Sequence, residues 1–223
     1  MRVQLPALVA LASAAALVGC GGPSTTYAGA SIHEYLPLEG DRMWEYWQCD
    51  PGSDACEPDA GFDTLLIEKN PTTSSSGNDE VVTLEYSILE PTELLYTIDW
   101  SSNSRTGIRV HGWTVGADGS ETFSASTPIT VSEYKASKDD VFTTETDGLT
   151  YTSTFLGETE CTTHWVPNDP YKCVHFKIEG GNGDEPILGE WYFAQSWGMV
   201  KHLPTDLTAP WVLACSEFDN DNC

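Results

Sequence analysis

The chain has 223 residues, 34 of them acidic and 10 basic, for a formal net charge of −24. That length suits one large β domain with a real core, and 40% hydrophobic with 11% aromatic residues excludes a disordered polypeptide. The acidity excludes nucleic acid as a partner and disfavours docking the domain on anionic lipid headgroups, because both need Lys and Arg in numbers.

Arg2 gives the chain a positive start, and an apolar run from Val3 to Val18 follows, broken only by Gln4, Pro6 and Ser13. The run is too short and too Ala-rich for a membrane span, and reads as an export signal over residues 1–19. It ends in Leu17-Val18-Gly19-Cys20, which matches the bacterial lipobox. Cleavage would precede Cys20, whose thiol would receive the diacylglycerol. Acyl chains on Cys20 would then hold the protein at a membrane. Gly21 rather than Asp follows the cysteine, and similarity to lipoproteins of Gram-negative bacteria then implies the outer membrane. Residues 20–30 continue with small and polar side chains and one Pro, so they read as the lipidated end of a flexible tether.

The remaining stretch, residues 31–223, reads as one domain. Six cysteines fall in it: Cys49, Cys56, Cys161, Cys173, Cys215 and Cys223. An even number in an exported chain points to disulfides. Spacing suggests three local bridges, Cys49–Cys56, Cys161–Cys173 and Cys215–Cys223. Bridges from Cys49 or Cys56 to Cys215 or Cys223 stay open if the first and last strands are neighbours.

No helical period of useful length follows the tether. Apolar residues alternate with polar ones in Val82-Leu84-Tyr86-Ile88, Leu94-Tyr96-Ile98-Trp100, Ile108-Val110, Ile129-Val131, Tyr151-Phe155 and Val174-Phe176-Ile178. Period two with one polar face predicts an antiparallel sheet. Turn signals separate the runs at Asn103-Ser104, Asp118-Gly119, Asp147-Gly148 and Gly180 to Asp184, and residues 70–79 read as a longer polar loop. These runs predict roughly ten strands in a meander. The fold class expected is all-β: a single antiparallel meander, a curved sheet or half-barrel, with a β-sandwich as second choice.

Two stretches carry a resemblance. Tyr35-Leu36-Pro37-Leu38 with Gly40, Trp44 and Tyr46 resembles the opening "YxPLxxGxxWxY" of a group of bacterial lipoproteins. Val166-Pro167, then Tyr171 to Val174, Glu190 to Ala194 and Gly198 to Lys201, resemble that group's closing pattern. Asn168-Asp169-Pro170 and Ser196-Trp197 depart from it. The resemblance implies an exported antiparallel β domain and carries over no catalytic residue. Trp44, Tyr46, Trp191 and Phe193 are expected in the core, and Gly198 in a tight turn.

No assembled catalytic pattern is legible. Ser132 and Lys135 match S-x-x-K without its companion motifs. Cys161, His164, Cys173 and His175 resemble a zinc quartet, but residues three apart point to opposite faces of a strand. Acidic pairs such as Asp54, Glu57 and Asp59, Asp139-Asp140 and Asp184-Glu185 are too common in so acidic a chain to single out a hydrolase. Asp219-Asn220-Asp221-Asn222 offers oxygens for calcium but lacks the glycine and closing glutamate of a known loop. Trp113, Trp165 and Trp197 lie near turns, where exposed rings would suit a ligand, but a β domain without helices more readily uses tryptophan to fill its core.

The sequence therefore predicts a non-enzymatic outer-membrane lipoprotein without cofactor or resident metal, tied to the membrane through Cys20. Its expected partner is an apolar ligand or an envelope protein. The alternatives are a structural or interaction lipoprotein without small ligand, and a carboxylate-dependent hydrolase.

Overall fold

The computed structural model describes residues 31–38, 43–48, 64–88, 93–161, 171–205 and 211–216. Among the described residues twelve strands form one antiparallel sheet: β1 (Met43–Gln48), β2 (Thr64–Ser76), β3 (Asp79–Ile88), β4 (Glu93–Asn103), β5 (Gly107–Val115), β6 (Glu121–Ser132), β7 (Val141–Thr146), β8 (Leu149–Cys161), β9 (Tyr171–Gly180), β10 (Gly189–Ala194), β11 (Gly198–Pro204) and β12 (Trp211–Ser216). Every strand pairs with its neighbour in sequence except β6 with β7. The first strand pairs with the last, and β6 and β7 form the two edges. The sheet curls until those edges lie side by side. The all-β meander and its curvature thus agree with the sequence pattern.

Two strands more form than the alternation suggests. The second half of β2 is only Pro, Ser and Thr, and β7 is mostly Thr with Glu, so neither carries an apolar period. Residues 70–79 are correspondingly not a loop. Here β2 runs on to Ser76, pairing Thr73 with Val82 and Ser76 with Asp79 around a turn at Gly77. A register irregularity between Lys69 and Thr73 takes up Pro71, which has no N–H to give the ladder. The Asp147-Gly148 hairpin forms as its sequence requires, with φ of 52° and 83°, the left-handed pair of a type I′ turn.

Side chains of alternate residues fill the inside. On β3 these are Val82, Leu84 and Tyr86; on β8, Tyr151 and Phe155; on β9, Val174, Phe176 and Ile178. Trp44, Tyr46, Trp191 and Phe193 are buried as expected. The barrel is flattened, because opposite walls touch. Trp100 on β4 meets Trp191 on β10 edge-on at 5.5 Å and Phe193 at 6.4 Å. The central void, ringed by Trp44, Tyr86, Trp100 and Trp191 among others, has about 10 Å³, room for a single water. Trp191 also stacks on the ring of His202 at 3.6 Å.

One end of the barrel is plugged by the segment that precedes β1. A short 3-10 helix, Ile32–Tyr35, places Ile32, Tyr35 and Leu36 in the core, each at most 2% exposed. Backbone bonds fix it: Ile32 N donates to Tyr134 O at 3.3 Å, and Glu34 O accepts from Ser196 N at 2.9 Å. The hydroxyl of Ser102 donates to His33 O at 3.0 Å. All three partners lie at the ends of strands or in the turns beyond them, on the same side of the barrel. Strand direction places the β5–β6, β7–β8 and β9–β10 connections at the opposite end. The nine residues of β5 separate the two ends by roughly 27 Å.

The seam between β6 and β7 is closed by side chains rather than by a backbone ladder. Thr144 Oγ1 accepts from Thr130 N at 3.1 Å, Thr146 Oγ1 from Thr127 N at 3.1 Å, and Asp147 Oδ2 from Ser126 N at 2.9 Å. The Ser153 hydroxyl on β8 crosses to donate to Val131 O at 2.6 Å. The Ser126 N–H holds the Asp147 carboxyl below its usual range, with the Thr146 hydroxyl assisting.

Candidate functional site

At the end opposite the plug lies a cleft of about 320 Å³, open to solvent. Trp113 on β5 and Phe123 on β6 sit opposite each other in register and stack at 4.3 Å. Tyr151 meets the Trp113 ring edge-on at 6.0 Å. Together with Val115, Leu149 and Pro186, Trp113 and Phe123 make the apolar part of the lining. Glu121 and Asp184 stand exposed on its rim. No lysine, arginine or histidine lines it among the described residues.

Glu185 is the buried carboxylate of the cleft, and the β9–β10 loop is built around it. Asn182 N donates to its Oε1 at 2.6 Å, Gly183 N to Oε2 at 2.9 Å, and the Tyr151 hydroxyl to Oε1 at 3.2 Å. Burial, with the negative Glu185 second, raises the Tyr151 pKa, so the phenol keeps its proton and stays a donor. Gly181 turns the loop at φ 59°, and a Cβ there would collide with the Glu185 carboxylate and the Tyr151 ring. The loop needs glycine at that point for space as well as for conformation.

Two further polar groups lie outside the cleft lining. Ser101 Oγ and His111 Nε2 are 2.7 Å apart. Burial lowers the His111 pKa, against the pull of Asp79 and Asp99. Ser101 is wholly enclosed, so its oxygen is not open to a substrate. On β9 and β10, His175 Nε2 meets Glu190 Oε2 at 2.9 Å and its ring stacks on Tyr192 at 4.0 Å. The Tyr192 hydroxyl donates to the same Glu190 oxygen at 3.2 Å, and burial with Glu190 pushes its pKa up to about 12. Neither group follows from strand alternation, because each depends on cross-strand register.

Cys161 and Cys173 form a disulfide across β8 and β9, with Cα atoms 6.0 Å apart. The bridge takes both sulfurs out of the zinc quartet, and His175 binds Glu190 instead. Cys215 lies on β12 opposite Glu45. Cys20, Cys49, Cys56, Cys223, His164, Trp165 and residues 219–222 lie outside the described residues. Among the described residues no three potential ligands converge on a metal position. Ser132 is buried, and its hydroxyl donates to Glu133 O at 3.0 Å. Trp113 is buried too, as part of the cleft wall, because it packs against Phe123 and Tyr151 rather than pointing outward. Asp139-Asp140 is a turn: Asp140 Oδ2 accepts from Ser137 N at 2.7 Å, and Asp139 N donates to Phe155 O at 2.7 Å.

The bridge spans 12 positions of sequence, so removing it should cost about 2–4 kcal/mol. The Cys161→Ser/Cys173→Ser pair should unfold at correspondingly lower denaturant. Equal midpoints for parent and variant under non-reducing conditions would show that the bridge adds no stability.

Comparison with known protein families, with curated proteins and with solved structures finds no match to this chain.

Proposed function

We propose that the protein is a lipid-anchored domain of the bacterial cell envelope that acts by binding at its surface and performs no chemistry. The observation that carries this reading is the filled interior. Among the described residues a void of about 10 Å³ leaves no room for an apolar ligand at the centre of the barrel. The surface reading therefore stands ahead of an interior carrier.

The anchor part rests on Leu17-Val18-Gly19-Cys20 behind an export signal, and on the resemblance of residues 35–46 to lipoproteins. With Cys20 acylated, ten residues separate the anchor from Ser31 and reach at most roughly 35 Å. The chain enters the barrel at the plug. The plugged end is thus the end tied to the membrane, and the cleft occupies the far end. The strong negative charge keeps the domain off anionic headgroups and leaves that far end presented to the envelope space. An outer-membrane location follows from Gly21 in the position after the lipidated cysteine.

Changing Cys20→Ser should move the protein from the membrane pellet to the soluble fraction. A variant that stays in the pellet, where the parent also resides, would overturn the anchor.

A further inference from the structure

We infer that the cleft at the end away from the plug is a binding site for a small organic cation, a molecule that joins a positive nitrogen to an apolar body. The inference rests on the surface-binding reading above and names the ligand class for it.

The argument starts from charge. Glu121, Asp184 and Glu185 line a cleft that holds no basic side chain among the described residues. An anion is repelled there. A neutral apolar ligand would cover carboxylates without offering them a partner, which costs free energy. A cation offsets that cost by its own charge.

The chemistry of the wall then selects among cations. The half-buried Phe123 ring lines the cleft with the buried Trp113 ring stacked behind it, and an aromatic face attracts alkylated ammonium groups while accommodating their apolar arms. A divalent metal fits poorly, because it needs several oxygens at one point. The Glu185 oxygens already accept from Asn182 N, Gly183 N and the Tyr151 hydroxyl, and no three acidic ligands converge among the described residues. The volume of about 320 Å³ sits at the lower end of the range for small-molecule sites, so the ligand is compact. Glu185 serves to brace the β9–β10 loop, leaving Glu121 and Asp184 on the rim to meet the charge.

The test titrates the purified full chain by calorimetry with four probes: choline, its neutral carbon isostere 3,3-dimethylbutan-1-ol, glucose and calcium chloride. Choline should bind saturably, and the isostere at least about tenfold more weakly. Glu121→Gln/Asp184→Asn should weaken choline by about tenfold while leaving the far-UV spectrum and the unfolding midpoint unchanged, since both side chains are exposed. Phe123→Leu should also weaken choline, because it removes the aromatic face from the cleft wall. Saturable binding of glucose or of the isostere as tight as choline would overturn the cationic class and leave the cleft as a ligand site. Calcium binding that excludes choline would replace the organic cation by a metal. No saturable binding by any probe would overturn the site itself; the anchor is judged separately by fractionation of the Cys20 variant.

Discussion

Tyr35→Ala should destabilise the domain by about 3–5 kcal/mol, the cost of emptying a fully buried aromatic site. Tyr35 lies in the plug, 2% exposed, between Ile32 and Leu36, which are equally enclosed. The plug belongs to no strand and precedes the sheet in sequence, so it looks expendable on a secondary-structure diagram. The packing says otherwise. Its three apolar side chains close one end of the core against water, and its backbone carbonyls accept from Ser102 and Ser196. A chain beginning at residue 39 loses all of these contacts. Its loss should exceed that of Tyr35→Ala and approach the whole stability of a typical domain, about 5–15 kcal/mol. Denaturant unfolding of the two variants against the parent is the measurement. A truncated chain that unfolds at the parent's midpoint would mean the plug is only laid against the barrel.

Acid should unfold the protein through His202. The imidazole is 1% exposed, stacked on Trp191, and neither ring nitrogen has a hydrogen-bond partner of good geometry. Burial lowers its pKa from 6.5 to about 3, the nearby Leu188 backbone offsetting only part of the effect. The unfolded chain therefore binds a proton below pH 6.5 that the folded chain refuses until about pH 3. Stability is complete above that window and falls on acidification by about 1.4 kcal/mol per pH unit within it. By pH 5 the loss from this residue is about 2 kcal/mol. His111 and His175 are also held down by burial, and they add in the same direction. His202→Phe keeps an aromatic ring on Trp191 and removes both unpaired nitrogens. It should match or exceed the parent's stability at pH 7 and lose about 2 kcal/mol less between pH 7 and pH 5. Parallel pH profiles for parent and variant would refute the assignment to His202.

Much of the wall of this barrel was legible in the sequence. Val82-Leu84-Tyr86 and Val174-Phe176-Ile178 alternate and do face inward, and Asp147-Gly148 turns as its dipeptide requires. Period two reports that a residue has a wet side and a dry side; it does not report which strand lies next to it. The pairing of β1 with β12 joins residues from the two ends of the domain, and nothing local specifies it. The plug was hidden for a related reason. Ile32, Tyr35 and Leu36 are spaced i, i+3, i+4, but one helical turn is too short to stand out as a period, so the shape of the barrel end is what explains their burial. The cleft is half legible: Asp184-Glu185 stands out as an acidic pair and Trp113 as a ring near a turn, but separately. Their meeting depends on the β5–β6 register and on a glycine loop folding around Glu185, both of which are three-dimensional facts. Residues 70–79 misled because Ser and Thr serve loops and strands equally well, and only the partner strand decides.

The seam between β6 and β7 has a consequence for solubility under stress. A strand edge with unpaired N–H groups is a template on which another chain can grow. Here each edge shields the other, and threonine hydroxyls with Asp147 occupy N–H groups that a foreign strand would seek. These bonds are side chain to backbone, so they can part without unravelling either hairpin. Heating would then bare two sticky margins while the eleven backbone ladders still hold. Clumping of this protein would begin from a molecule that is still almost wholly folded, and charge repulsion among its many carboxylates would be the remaining guard.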